Sequence, residues 1–96
     1  MAAYLIARIQ ITDSTQYKKY VEATPTAIGR YGGKFIVRGG TTCTLEGPEE
    51  NRRVVVIEFP DVAQAKAFWS SPEYLAAKKF REGAADGQFI LVEGVA

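Results

Sequence analysis

The chain has 96 residues, 47% of them apolar, with 12 basic and 11 acidic side chains and a formal charge of +1. Such a composition excludes disorder, and its interspersed charges are not the basic stripe that nucleic acid requires. With no histidine and a single cysteine, Cys43, the chain lacks Ser-His and Cys-His nucleophile pairs, histidine-ligated haem or iron, and a structural zinc site within one chain.

A length of this order predicts one domain, residues 1–96. No apolar run approaches the roughly 20 residues that a bilayer crossing needs. The start carries no signal-peptide pattern and a lone cysteine cannot form an intrachain disulfide, so the expected compartment is the cytoplasm. Metal and cofactor are both expected to be absent.

The two halves repeat one another. Ile9, Ile11, Asp13, Gln16, Lys18 and Tyr20 return as Ile57, Phe59, Asp61, Gln64, Lys66 and Phe68, and Gly33-Lys34-Phe35-Ile36-Val37 returns as Gly87-Gln88-Phe89-Ile90-Leu91. In chain order, Tyr4–Ile11 alternates with period two, as a strand with two unlike faces does. Asp13 is placed as a helix N-cap with Gln16 three residues on. The helix carries Tyr17, Tyr20, Val21 and Thr24 at helical spacing. Pro25 either interrupts it or opens a second segment, and Gly32-Gly33 ends it. Lys34–Arg38 is the second strand, and Gly39-Gly40 marks a bulge or bend. A turn-rich hairpin loop over 47–51 leads to the third strand, Arg53–Phe59. Asp61 and Gln64 repeat the cap, and Val62, Ala65, Phe68 and Trp69 form a buried stripe. Ser71 caps a further helix with Pro72 at its first position. Asp86-Gly87 turns the chain into the last strand, Gln88–Glu93.

The order βαββαβ predicts an α+β ferredoxin-like sandwich, with an antiparallel four-stranded sheet and its helices on one face. The other face is where function is sought. Alternation puts Ile6, Arg8, Gln10, Ile36, Arg38, Val54, Val56, Glu58, Ile90 and Val92 there. Such a patch is apolar enough to mark an interface or a ligand site, yet its charges are costly to bury unpaired. Two readings stand. Either Arg8 or Arg38 pairs Glu58 inside a homodimer interface, or the three line a cavity between facing sheets. In the second case arginine fixes a small carboxylate and Glu58 is the catalytic acid or base. Trp69 and Tyr74 are further candidates for substrate binding at a pocket mouth, although core packing and a helix cap account for most of the Phe68–Tyr74 stretch. Arg38-Gly39-Gly40 is no phosphate loop, since neither a Lys-Ser/Thr pair nor a helix follows it. Val54, Val56 and Glu58 cannot stack bases as an RNA-recognition sheet does. Cys43 has no activating neighbour in sequence.

From end to end the chain resembles a bacterial family known only as domain of unknown function thirteen-thirty. The stretches that carry the likeness are Ala3–Arg8, Tyr31–Gly40, Val54–Pro60, Ser71–Tyr74 and Val92–Gly94. That family is similar to the dimeric α/β-barrel proteins, in which two ferredoxin-like sheets face each other. Their number includes cofactor-free monooxygenases, isomerases, haem-degrading enzymes and sensory domains. The resemblance implies the fold and a homodimer and assigns no reaction. The expectation is therefore a small-molecule-binding protein or cofactor-independent enzyme acting on a small organic acid. The alternative is a non-catalytic dimeric regulatory or structural module.

Overall fold

The computed structural model describes residues 1–95. The elements run β1 (Ala3–Ile11), α1 (Ser14–Arg30), β2 (Lys34–Arg38), β3 (Arg53–Phe59), α2 (Val62–Trp69), α3 (Pro72–Arg81) and β4 (Ala85–Glu93). The strands pair antiparallel in the order β2-β3-β1-β4. This is the ferredoxin-like arrangement, with α2 and α3 together filling the place of the second helix.

Each helix begins where a short side chain satisfies a free backbone N–H. The Asp13 carboxylate accepts from the Gln16 N–H at 3.0 Å and that of Asp61 from the Gln64 N–H at 2.7 Å. Ser71 Oγ accepts from the Tyr74 N–H at 3.1 Å and donates to the Phe68 carbonyl at 2.7 Å. Pro25 neither interrupts α1 nor starts a second segment: the helix runs through it, with Pro25 on the exposed side. Gly32, at φ +76°, turns the chain out of α1. The expected turn at Asp86-Gly87 lies instead inside β4, where Asp86 faces Gln10 and Gly87 faces Ile9. The left-handed turn residue there is Gly83, at φ +75°.

Between sheet and helices, Leu5, Ala7, Ile9, Val55, Ile57 and Phe59 meet Tyr17, Tyr20, Ile28, Ala65, Phe68 and Tyr74 in one core. Aromatic side chains dominate it, with Phe68 and Tyr74 ring centroids 4.6 Å apart and Phe59 and Phe68 5.2 Å apart. Such contacts add about 0.5–1.5 kcal/mol per pair beyond area burial.

Register assigns the open face. Tyr4 lies between Glu58 and Val92, Ile6 between Val56 and Ile90, and Arg8 between Val54 and Gln88. In β2, Lys34 faces Glu58 and Phe35 faces Ile57, but Val37 faces Val56 and Arg38 faces Val55. Ile36 is thus the extra residue of a β-bulge. One inserted residue reverses the alternation beyond it, so Val37 joins the open face and Arg38 turns to the helix side. The expectation that Arg38 shares a face with Arg8 and Glu58 is corrected by that bulge.

Candidate functional site

Five side chains were singled out by the sequence, and the fold divides them. Glu58 and Arg8 lie on the open face four positions apart along neighbouring strands, about 13 Å at the usual strand rise. Glu58 accepts from the Tyr4 hydroxyl at 3.2 Å and pairs with Lys34 Nζ at 3.2 Å. Arg8 donates to Gln88 Oε1 and lies 3.6 Å from the Glu50 carboxylate. The Glu50 carboxylate in turn accepts two hydrogen bonds from the Arg52 guanidinium, at 2.8 and 3.0 Å, and one from the Arg52 backbone N–H at 3.0 Å. The side-chain and backbone hydrogen bonds from Arg52 pull the Glu50 carboxyl down to about 2. The ionised Glu50 therefore already stands where a ligand carboxylate would meet Arg8, and neither arginine of the sequence reading pairs with Glu58.

Arg38, Trp69 and Tyr74 lie on the other side of the sheet, where Tyr74 lines a cavity with Arg38 and packs against Trp69. The cavity, of about 30 Å³, lies between the sheet and α1, its lining including Tyr17, Tyr20, Tyr74, Arg38, Arg53 and Phe89. It is large enough for a water molecule or two. Trp69 packs over Tyr74 and Phe89, with ring centroids 4.9 and 5.2 Å away. It also borders a second cleft of about 240 Å³ between α2 and the sheet.

Arg53 is the residue the sequence reading passed over. It sits at the inward parity of β3, in step with Val55 and Ile57, and its neighbour Arg52 points the other way to Glu50. An arginine in step with a buried apolar row was the available signal. Its guanidinium packs against Gly39, where an added Cβ would clash with Nη1. Gly39 also has φ +71°, so both the backbone and the arginine require glycine there. Arg81, in the last turn of α3, completes the group. Its guanidinium carbon is 4.5 Å from the centre of the Phe89 ring, and Nη2 donates to Tyr74 Oη at 3.3 Å.

This cluster has more donors than acceptors. Tyr20 and Tyr74 share one hydrogen bond at 2.9 Å. Two hydroxyl protons and one such bond leave one buried O–H without an acceptor among the described residues. The Nε–H groups of Arg53 and Arg81 are also buried without a partner among them. None of Arg38, Arg53 and Arg81 forms an ion pair with a carboxylate among the described residues. Burial pushes the Tyr17 phenol up, and the Arg53 and Arg81 guanidiniums pull it back. Burial first, and the Tyr74 hydroxyl second, push the Tyr20 phenol well above its ordinary range. The cavity is walled mainly by apolar side chains, and the unpartnered donors beside it favour a ligand that brings acceptors and negative charge. Among the described residues no group of three or more His, Cys, Asp or Glu side chains is placed to hold a metal ion. No helix among them is long and apolar enough to cross a membrane.

The sheet order and the helices on one face define a ferredoxin-like α+β protein. The chain belongs to the family described as Domain of unknown function (DUF1330), whose model matches residues 2–95. No curated protein matches it. Among solved structures, a protein of unknown function from Rhodopseudomonas palustris is 24% identical, with a TM-score of 0.79 over 99% of this chain and 83% of that one. SnoaB, a cofactor-independent oxygenase from Streptomyces nogalater, is 14% identical with a TM-score of 0.70 over 99% and 94%. A dimeric protein of unknown function and ferredoxin-like fold from Bacteroides fragilis is 19% identical, TM-score 0.66, over 97% and 96%. At these identities the likeness is one of fold.

Proposed function

We propose that this protein binds a small organic acid between its sheet and helices, with the carboxylate directed to the inner cavity. The observation that carries this reading is a donor surplus beside the cavity: the buried Nε–H groups of Arg53 and Arg81 and one phenolic O–H of the Tyr20–Tyr74 pair have no acceptor among the described residues, and no carboxylate there pairs with either guanidinium. Desolvated cations and donors of this kind are costly unless a ligand supplies the acceptors. As an enzyme, the same donors would stabilise negative charge developing on a substrate oxygen, with Tyr20 and Tyr74 as the hydroxyls in reach and no cofactor required. A cofactor-independent oxygenase of the same fold is consistent with such a use. Tyr74 keeps a binding role under this reading, Arg38 lines the cavity while donating to the Val21 carbonyl, and Trp69 packs on Tyr74.

The working unit we propose is a homodimer formed through the open face. Its apolar rows of Val37, Val56, Ile6 and Ile90, with Val92 beside them, support this. So does the dimeric description of the Bacteroides fragilis neighbour. A second reading, the non-catalytic dimeric module, draws on Glu58. The carboxylate expected to be an acid or base is engaged by Tyr4 and Lys34, so on this reading it orders the interface.

Titration calorimetry with a panel of small mono- and dicarboxylates tests the proposal. Saturable binding is expected, weakened about 10- to 100-fold by Arg53→Met or Arg81→Met, the loss of a charge-assisted hydrogen bond. It should be unaffected by Arg8→Met. Binding that depends on Arg8 alone, or no binding by a folded protein, would leave the module.

A further inference from the structure

The small inner cavity and the larger cleft beside it share two lining residues, Leu5 and Phe89. Phe89 stands at inward parity on β4, opposite Ala7. Alanine offers little side-chain bulk across from it. The Phe89 ring is held between Trp69 on one side, 5.2 Å between centroids, and the Arg81 guanidinium on the other at 4.5 Å. Its edge folds back over Gly87, where a Cβ would lie 2.8 Å from the ring. The Phe89 ring, with Leu5 beside it, thus stands between about 30 Å³ of inner space, walled mainly by apolar side chains with Tyr20, Tyr74 and Arg53 among them, and about 240 Å³ of cleft lined by Leu5, Ala65, Trp69 and Leu91, with Lys66 also at the lining.

We infer that Phe89 divides a single ligand site, and that the site takes a monocarboxylate with an apolar body of a few carbons. This rests on the organic-acid reading above and adds the substrate class and the residue that sets it. The carboxylate meets Arg53, Arg81 and the tyrosine hydroxyls, and the apolar body takes the place of the displaced Phe89 ring and extends into the cleft. A charged head alone fills only the inner space. An apolar tail beyond it is covered by Trp69, Leu5 and Leu91, so affinity rises with chain length until the cleft is full. Joining the two spaces requires the Phe89 ring to turn about its side-chain bonds, out of its contacts with Trp69, the Arg81 guanidinium and Gly87.

Trp69 is the sole tryptophan of the chain and lines the cleft, so its fluorescence reads the site directly. The probes are butyrate, hexanoate, octanoate and neutral 1-hexanol, titrated into the wild type, Phe89→Ala, the milder Phe89→Leu, Lys66→Ala and Arg8→Met. Each added methylene is expected to tighten binding about fourfold, hexanol should bind far more weakly than hexanoate, and both Phe89 substitutions should extend the preference to octanoate. Arg8→Met, on the open face, should leave the whole series unchanged, while Lys66→Ala, at the cleft lining, should keep its order. If butyrate and hexanoate bind equally, and neither Phe89 variant alters the series, the anion site survives but the inference falls. If Lys66→Ala alone abolishes binding, the carboxylate points outward and the inference falls as well. If no acid binds to the wild type or to either folded Phe89 variant, the organic-acid reading falls with it.

Discussion

Pro25 and Arg38 meet through one backbone oxygen. Proline has no N–H, so the Val21 carbonyl four residues earlier loses its helical partner. Arg38 Nη2 donates to that carbonyl at 3.1 Å, assisted by Thr24 Oγ1 at 3.4 Å. The same guanidinium lies 4.1 Å from the centre of the Phe35 ring. A helix defect and a strand bulge thereby support each other: the bulge at Ile36 aims Arg38 at the one carbonyl in α1 that Pro25 leaves free.

That coupling is measurable in a double-mutant cycle. Arg38→Ala in the wild type is expected to cost about 0.5–1.5 kcal/mol of unfolding free energy. In a Pro25→Ala background, where residue 25 regains an N–H for Val21, the cost should shrink markedly, and Pro25→Ala alone should stabilise the fold. Denaturant unfolding of the four proteins supplies the coupling energy. Strict additivity would mean that Arg38 does not compensate for Pro25.

Gly39 and Gly40 are adjacent but not equivalent. Gly39→Ala must hold an L side chain at φ +71° and push the Arg53 guanidinium aside. The backbone strain alone is about 1–2 kcal/mol. Gly40 has nothing within 4 Å of an added Cβ and no positive φ, so Gly40→Ala should be nearly neutral. Thermal unfolding of the two variants checks this, and carboxylate affinity should fall with Gly39→Ala alone.

Alkaline pH tests the buried phenols. Tyr20 ionises in the folded protein only well above the 10.0 of an exposed tyrosine, chiefly because it is buried. In the unfolded chain it ionises near 10. Its contribution to stability is therefore complete below pH 10 and declines as pH rises above that value, by about 1.4 kcal/mol per pH unit at most. Tyr17 shifts in the same direction. Unfolding free energies measured from pH 9 upward should fall less steeply for Tyr20→Phe than for the wild type; equal slopes would place the Tyr20 hydroxyl in water.

The open face bears on assembly. Burying Ile6, Val56, Ile90 and Val92 against a second copy contributes roughly 1.5–3 kcal/mol per side chain before the costs of association. Native mass spectrometry at low micromolar concentration is expected to show two copies, and Val56→Asp should give a folded monomer. A wild-type monomer would rule out facing sheets.

Local chemistry made much of the fold legible. Asp13, Asp61 and Ser71 cap helices through contacts three residues long, and β2 and β3 begin and end where their alternation does. The bulge at Ile36 was not legible, because it arises from how β2 pairs with β3 rather than from its own residues. It alone moved Arg38 to the other face. β4 begins at Ala85 rather than Gln88 because pairing with Gln10 and Ile11 extends it through Asp86-Gly87, a dipeptide that reads as a turn in isolation. Arg53 was at inward parity all along, yet beside Arg52 it reads as part of a solvated doublet. Only the fold shows the two side chains parting to opposite faces.

The central claim is that the organic-acid site lies on the helix side, at Arg53 and Arg81. The most direct measurement follows the side-chain Nε–H resonances of the arginines by nuclear magnetic resonance while hexanoate is titrated in. Those of Arg53 and Arg81, now buried without acceptors, should shift and saturate together, while the Arg8 resonance stays in place with Glu50 beside it. Saturating shifts at Arg8, with Arg53 and Arg81 unmoved, would contradict the account and return the site to the open face.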